Sequence, residues 1–484
     1  MSTADFDDLF ESDSSDNLED KVKKYRKAIK QKDEHGLPGV DIVESLANYC
    51  FEKGRFQECI DFCKLWVEYF PHSTDAWLKM SSSNINLSKF RAAQYCVEKA
   101  LAIDPTDLDI LLNKSIVLDY FGEHDEALRI IDEVLEEDPE YDEAIYHRGV
   151  VLQSMGRYEE ALNLFEFLGN FDDFQKDAWQ EAAFIHNIMG RYDESLKYYC
   201  MSIDSDPYNA NLWYNKGIML SHIGRHYEAI EAFDMATTID PNFATAWFNK
   251  GNTFASIGML SRSVEMFQRT LEIRPDDFET LHYIGGSLGD LGRYLEAISY
   301  LTRAIDIKED HYQSLFARGI CYDALQDYSR AVDDYRAALA YSSKNSEILY
   351  ALADALLNNG EYDEALSTYE KVILLQPNNF DCLVDYGYAL LEVGRLTDAN
   401  YVFNEVINYD RKNPDGYFGL AKYQIIIGET DKAAQNLAIS FKLDISKKQE
   451  YKRDLSKLLD NKRQFESTIQ SYFDKLDKNF RSKL

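Results

Sequence analysis

One interval governs this chain. Every 34 residues from Gly54 to Gly428 stands a glycine or a residue in its place. The positions are Gly54, Ser88, Gly122, Gly156, Gly190, Gly224, Gly258, Gly292, Gln326, Gly360, Gly394 and Gly428. Ten of these twelve are glycine, and no insertion or deletion breaks the register. A fixed period of this length requires units that stack along one direction, each burying its apolar face against its neighbours. That constraint overrides the several globular domains that 484 residues would otherwise suggest.

Other residue types keep the same interval. Pro71, Pro105, Pro139, Pro207, Pro241, Pro275 and Pro377 each fall 17 residues after a glycine position. Trp77, Trp179, Trp213 and Trp247 share a second rung. Four residues beyond that rung the side chain is always small, as at Gly149, Gly217, Gly251, Gly285, Gly319 and Gly387. Five residues after the glycine it is nearly always small, as at Ala93, Ala127, Ala161, Ser195 and Ala229.

Each unit therefore reads as two amphipathic helices with apolar i, i+3, i+4 spacing. Glycine accepts the left-handed conformation that ends the first helix. Acidic residues follow at once, as in Tyr192-Asp193-Glu194 and Tyr362-Asp363-Glu364. They suit the positive N-terminus of a second helix. Proline is expected to keep that helix from running into the next unit. The two small rungs let the paired helices approach closely.

The pattern resembles the tetratricopeptide repeat family. In residues 210–243, Trp213, Gly217, Leu220, Tyr227, Ala229, Phe233, Ala236 and Pro241 match the family signature. In residues 244–277, Trp247, Gly251, Phe254, Phe267 and Pro275 match, with Ser263 and Thr270 replacing two alanines. The resemblance extends over twelve units, 40–447, which is 408 of the 484 residues. It implies an all-α fold, a right-handed superhelical solenoid of antiparallel helix pairs. Unit 142–175 ends in Gly169-Asn170-Phe171 without a proline, so its second helix is expected to stop early. Units 278–311 and 312–345 also lack the proline.

The flanks differ in charge. Residues 1–20 carry eight acidic residues and no base, which reads as a disordered arm. Residues 21–35 read as a short basic helix, completing a leading segment 1–39. In 448–484, Leu455, Leu458, Leu459, Phe465, Ile469, Phe473 and Leu476 recur at helical spacing, as in a helix capping the last unit. Lys447, Lys448, Lys452, Arg453, Lys457, Lys462 and Arg463 make that end basic. Neither flank is long enough for a catalytic domain.

With 52 basic and 84 acidic residues the net charge is -32, which argues against nucleic acid or an anionic membrane as the general partner. No apolar run reaches membrane-spanning length, and the acidic start lacks a secretory pattern, so a cytoplasmic location is expected. The seven scattered cysteines form neither a disulfide framework nor a zinc pattern. Cys59 and Cys63 share a helix face and read as core residues. His222 and His226 are separated by the turn at Gly224. No phosphate loop, nucleophile elbow or metalloprotease motif occurs. The expectation is a chain that is not an enzyme, with no cofactor and no metal.

The resemblance implies that the first helix of each unit lines a concave inner surface. The family's inward positions fall here on Asn113, Asn187, Asn211, Tyr214, Asn215, His222, Phe248, Asn249, Asn252 and His282, the candidate peptide-binding residues. Gln153, Gln180 and Phe184 join them, as do acids such as Asp109, Glu181, Asp323, Asp354 and Asp385. Asn113, Asn215 and Asn249 share one rung, similar to the asparagine ladder of long tetratricopeptide superhelices. An asparagine amide either pairs with an extended peptide backbone or bonds a neighbouring helix. Bases at these positions are few, mainly Lys79 and Lys422, which disfavours a clamp for a C-terminal carboxylate. Lys114, Arg148, Lys216, Lys250 and Arg318 are expected to lie between units instead. The function expected is a non-catalytic scaffold or adaptor holding extended, basic or polar segments of other proteins. The alternative is a structural subunit that self-associates through its terminal repeats.

Overall fold

The architecture follows from the two kinds of small residue on the ladder. In a computed structural model, residues 15–31, 37–171, 174–454 and 465–472 are described. All twelve positions of the glycine ladder have positive φ, including Ser88 at 55° and Gln326 at 61°. A Cβ added at Gly292 would meet nothing within 4 Å, so conformation alone selects glycine there. The second kind is steric. A Cβ at Gly319 would sit 2.5 Å from the Tyr335 ring, and one at Gly251 would sit 2.7 Å from the Phe267 ring. In both, the large side chain lies 16 residues later, on the second helix of the same pair.

The chain divides into two compact units, Met1–Ile223 and Gly224–Leu484. In the first, α1 (Ser15–Gln31) precedes α2 (Val40–Glu52), α3 (Phe56–Tyr69), α4 (Thr74–Asn86), α5 (Phe90–Leu101), α6 (Leu108–Tyr120) and α7 (His124–Glu137). It continues with α8 (Asp142–Ser154), α9 (Tyr158–Leu168), α10 (Gln175–Ile188), α11 (Tyr192–Ser205) and α12 (Ala210–His222). The second unit holds α13 (His226–Ile239), α14 (Ala244–Ser256), α15 (Leu260–Ile273), α16 (Phe278–Asp290), α17 (Tyr294–Ile307), α18 (Tyr312–Ala324) and α19 (Tyr328–Tyr341). After these come α20 (Ser346–Asn359), α21 (Tyr362–Leu375), α22 (Phe380–Glu392), α23 (Leu396–Tyr409), α24 (Pro414–Ile426), α25 (Thr430–Leu443) and α26 (Lys447–Asp454). A last helical stretch covers 465–472, and there is no strand among the described residues. The fold is all-α, a stack of antiparallel helix pairs.

Within each unit, alternate first helices touch: α2 with α4, α4 with α6 and α6 with α8, and likewise α16 with α18, α18 with α20 and α22 with α24. No two second helices meet as closely among the described residues. The first helices therefore lie on the inner side of each unit's curve.

Capping explains where the first helices start. Ser73, Asp107, Asn209, Asp277, Asn345, Asn379 and Asn413 each accept a backbone N–H of the helix they precede. Trp213 and Trp247 donate their indole N–H to the carbonyls of Pro207 and Pro241, both at 3.0 Å. This bond couples the tryptophan and proline rungs.

Three expectations meet a finding here. The second helix α9 does stop early, at 11 residues against 14 for α13. Proline, however, is not what ends a second helix. Without it α17 and α19 still run 14 residues, as α13 does. The leading helix begins at Ser15, inside the stretch read as a disordered acidic arm. Val22 is fully buried against the α2–α3 core, and Glu19 accepts bonds from Tyr49 (3.1 Å) and Arg55 (2.6 Å). Residues 1–14 and 32–36 lie outside the described residues.

At the other end Tyr451, Phe465 and Ile469 are buried with Phe418, Ala421 and Phe441 of the last pair. Leu455, Leu458, Leu459, Phe473, Leu476, Lys457, Lys462 and Arg463 lie outside the described residues. Cys59 and Cys63 are fully buried in the first core, with their sulfurs 3.8 Å apart.

Candidate functional site

In the first unit the inner face holds two cavities. One, of about 430 Å³, lies across α2, α4, α6 and the start of α8. Its lining includes Glu44, Asn48, Lys79, Asp109, Asn113, Tyr141 and Glu143. Much of its hydrogen-bonding capacity is spent internally. The Tyr141 hydroxyl donates to Asp109. The Ser82 hydroxyl donates to the Asn113 amide oxygen (3.2 Å), and the Asn113 nitrogen donates to the Asp109 carbonyl (3.2 Å). Asn113 thus ties helices together, the other role open to an asparagine on this rung.

The second cavity, of about 370 Å³, brings Asn187 and Asn215 together with Gln153, Gln180, Glu181, Phe184, Tyr199 and Ile218. Gln153 donates its amide nitrogen to Glu181 at 3.0 Å. The Gln153 and Asn187 amide oxygens are buried without a hydrogen-bond partner. Burial lifts the Glu181 carboxyl above its usual range, against the bond from Gln153, and nearby Asp177 adds to the lift. Asn211 is exposed on the first turn of α12, and Tyr214 is half-buried on the same helix. His222, exposed on the last turn, meets the Tyr192 ring edge-on at 6.5 Å.

The inner face of the second unit differs. Phe248 packs against Phe267 (5.5 Å) and Tyr283 (5.3 Å). It is therefore half core. Asn249 and Asn252 are half-buried on α14. The His282 ring lies 3.1 Å from the Ser314 hydroxyl and 5.0 Å, edge-on, from His311. Burial, with His311 beside it, lowers its pKa to about 4, so it is neutral at pH 7. His282 thus sits in the packing between α16 and α18 rather than standing open on the face. Further along, burial raises Asp323, Asp354 and Asp385, with Asp354 reaching about 6. Tyr369 donates to Asp354 and Tyr350 to Asp385.

Of the bases expected between repeats, Arg148, Lys216 and Lys250 bond the preceding helix pair, whereas Arg318 bonds chiefly Asp334 of its own pair. Arg148 reaches Asp132 at 2.8 Å, Lys216 reaches the Cys200 sulfur at 3.6 Å, and Lys250, only 7% exposed, pairs with Asp234. Each partner lies 16 residues earlier, on the second helix of the preceding pair.

Sequence reasoning missed Tyr199, which reaches the second cavity from a second helix, and the tyrosine–carboxylate pairs. The signal for the latter was a tyrosine about one repeat from an inner acid, as Tyr141 stands to Asp109, or about half a repeat, as Tyr369 stands to Asp354. Among the described residues no group of three or more acid, histidine or cysteine side chains is placed to hold a metal ion. No helix there is long and apolar enough to cross a membrane.

Family comparison matches the tetratricopeptide repeat at residues 120–183, 210–243, 244–277, 284–347 and 324–383. A search of curated proteins gave no match. Among solved structures, the C-terminal part of a TPR repeat-containing protein from Cytophaga hutchinsonii is 16% identical, covering 49% of this chain and 98% of its own, with a TM-score of 0.44. A tetratricopeptide repeat protein from Parabacteroides merdae is 19% identical, covering 51% and 98%, with a TM-score of 0.41. The APC/C hetero-tetramer Cut9-Hcn1 matches at 14% identity over 85% of this chain and 96% of that one, with a TM-score of 0.38.

Proposed function

Because the chain belongs to the tetratricopeptide repeat family, we propose that it is a non-catalytic scaffold holding extended segments of partner proteins on its inner faces. The observation that carries this reading is the second cavity of the first unit. There Asn187 and Asn215, on two successive first helices, line one cavity together with Gln153, Gln180 and Phe184. Side-chain amides lining an open cavity can pair with the backbone of an extended peptide. The raised carboxylates favour a basic or polar segment over an acidic one. Seven free thiols suit the reducing cytoplasm.

The test is an array of blocked random decapeptides, probed with the intact chain and with an Asn215→Ala, Asn252→Ala chain of unchanged melting behaviour. The intact chain is expected to retain a set of peptides that the variant loses. Retention of the same set by both would remove the inner faces as the binding surface. A mass that grows with concentration, without peptide binding, would favour the self-associating subunit instead.

A further inference from the structure

The outer side of the first unit carries a groove that its own helices leave open. The second helices α3 and α5 form its walls, and α4 forms its floor. Its volume is about 620 Å³, against about 80 Å³ for the cleft between α5 and α6. The lining is mostly carbon: Ile60 and Val67 from α3, Trp77 and Met80 from α4, Ala92 and Tyr95 from α5. The Tyr95 ring is 54% exposed and meets Trp77 edge-on at 6.1 Å. Asn84, the buried polar side chain on the floor, already donates to the Met80 carbonyl at 2.8 Å. The groove therefore suits apolar groups rather than hydrogen-bonding ones. Lys64, Lys89 and Glu68 stand along it. Lys89 donates to the neutral Gln57 amide at 2.7 Å, Lys64 lies 3.7 Å from Asp61, and Lys99 lies over the Tyr95 ring at 5.3 Å. Three lysines against Glu68 and Asp61 make this edge weakly positive in a chain of net charge -32.

The segment preceding α1 matches that chemistry. Residues 1–14 place Phe6, Leu9 and Phe10 at i, i+3, i+4 and carry five acids without a base. Where this segment joins the fold is fixed close to the groove. Glu19 and Arg26 of α1 pair with Arg55 (2.6 Å) and Glu58 (2.7 Å) at the start of α3, and the groove opens at Gln57. Fourteen extended residues reach up to about 46 Å. From Gln57 to Glu68 the groove runs about 16 Å along α3, so the segment is long enough to cross the first turn of α3 and fill it. We propose that residues 1–14 of this chain seat Phe6, Leu9 and Phe10 in the groove between α3 and α5, with the neighbouring acids towards Lys64 and Lys89. The contact lies on the outer side and is independent of peptide binding on the inner faces.

The test uses the full-length chain with a photoreactive side chain in the groove, Tyr95→p-benzoylphenylalanine, and reads crosslinked peptides by mass spectrometry. The expected product joins position 95 to residues 5–11 of the same chain, at a yield independent of protein concentration. Phe6→Ser, Leu9→Ser and Phe10→Ser together should lower that yield about tenfold or more, since the apolar contact is removed. Lys64→Glu with Lys89→Glu should lower it less, and the intact chain should lose the same part of its yield at high salt. Ala92→p-benzoylphenylalanine, exposed on the same wall, gives a second reading should the change at position 95 disturb the fold. Crosslinks left unchanged by the triple serine variant overturn the proposal. So do crosslinks between two chains that grow with concentration, which would assign the groove to a second copy. The absence of any crosslink to residues 1–14 from either position overturns it as well.

Discussion

Arg318 holds Asp334 with two parallel hydrogen bonds, Nε to one carboxylate oxygen at 2.8 Å and a terminal nitrogen to the other at 2.7 Å. The pair joins α18 to α19. Its third arm reaches the Thr302 hydroxyl on α17 at 3.0 Å and so ties in the preceding pair. Asp334 is 6% exposed. Removing the arginine leaves a buried carboxylate without its countercharge. Arg318→Met should therefore destabilise the chain by about 3–5 kcal/mol. Arg318→Lys, keeping the charge and losing the fork, should fall between. Replacing both partners by apolar residues should recover most of the loss. Urea unfolding followed by circular dichroism measures all three, and a neutral Arg318→Met would show the pair to be ornamental.

The two side chains that occupy glycine positions supply a gain. Ser88 and Gln326 sit at φ of 55° and 61°, where a Cβ is strained. Ser88→Gly and Gln326→Gly should each stabilise by about 0.5–1 kcal/mol, the relief exceeding the entropy that glycine adds to the unfolded chain. The reverse change, Gly292→Ala, should cost about as much. The midpoint of thermal unfolding reports the sign.

Adjacent glycines on α16 should respond in opposite directions. A Cβ at Gly285 would land on the Leu301 side chain, which is fully buried. A Cβ at Gly286 would meet nothing within 4 Å. Gly285→Ala is expected to cost about 1–3 kcal/mol by overpacking. Gly286→Ala should instead add about 0.5–1 kcal/mol through helix propensity. Equal effects from the two would contradict the packing of α16 on α17.

Asp354 makes stability depend on pH. Burial, with Asp385 and Asp323 nearby, raises its pKa from 3.8 to about 6 despite the bond from Tyr369. The folded chain then takes up the proton before the unfolded chain does. Ionised Asp354 weakens the fold above that window, and the penalty disappears as pH falls from about 6 to 3.8. His147 and His282 act oppositely, because burial lowers both to about 4 and the unfolded chain binds their protons first. The comparison of intact chain with Asp354→Asn isolates the aspartate. The variant should be more stable at pH 7, by roughly 2–3 kcal/mol at most, and the gap should close by pH 4.

The regular part of this fold is legible in one dimension because each unit repeats the same physics. The ladder places Ser88 and Gln326 in the left-handed region although neither is glycine. The small rung places Gly149 against Phe165 and Gly387 against Phe403, two helices joined by one turn. What was not legible depends on partners that no rung encodes. Glu19 draws α1 back to Ser15 by pairing with Arg55, a contact formed across 36 residues. Proline marked the ends of second helices without causing them, as α17 shows. In the candidate site, Asn113 and Asn215 occupy the same rung, yet only Asn113 has Ser82 beside it.

That difference separates stability from binding on a single rung. Asn113→Ala removes an acceptor from the Ser82 hydroxyl and a donor to the Asp109 carbonyl. It should cost about 1 kcal/mol in unfolding and leave peptide retention unchanged, because the amide was already spent inside the scaffold. Asn215 lines the second cavity, and its amide makes no hydrogen bond among the described residues. Asn215→Ala should leave unfolding unchanged and weaken peptide binding about tenfold, the worth of one buried hydrogen bond to a ligand. Titration of an array-selected peptide by fluorescence anisotropy, with melting of the same samples, measures both. If Asn113→Ala weakened binding as strongly as Asn215→Ala, the first cavity would have to be part of the peptide site. The asparagine rung would then act as one continuous contact within the first unit.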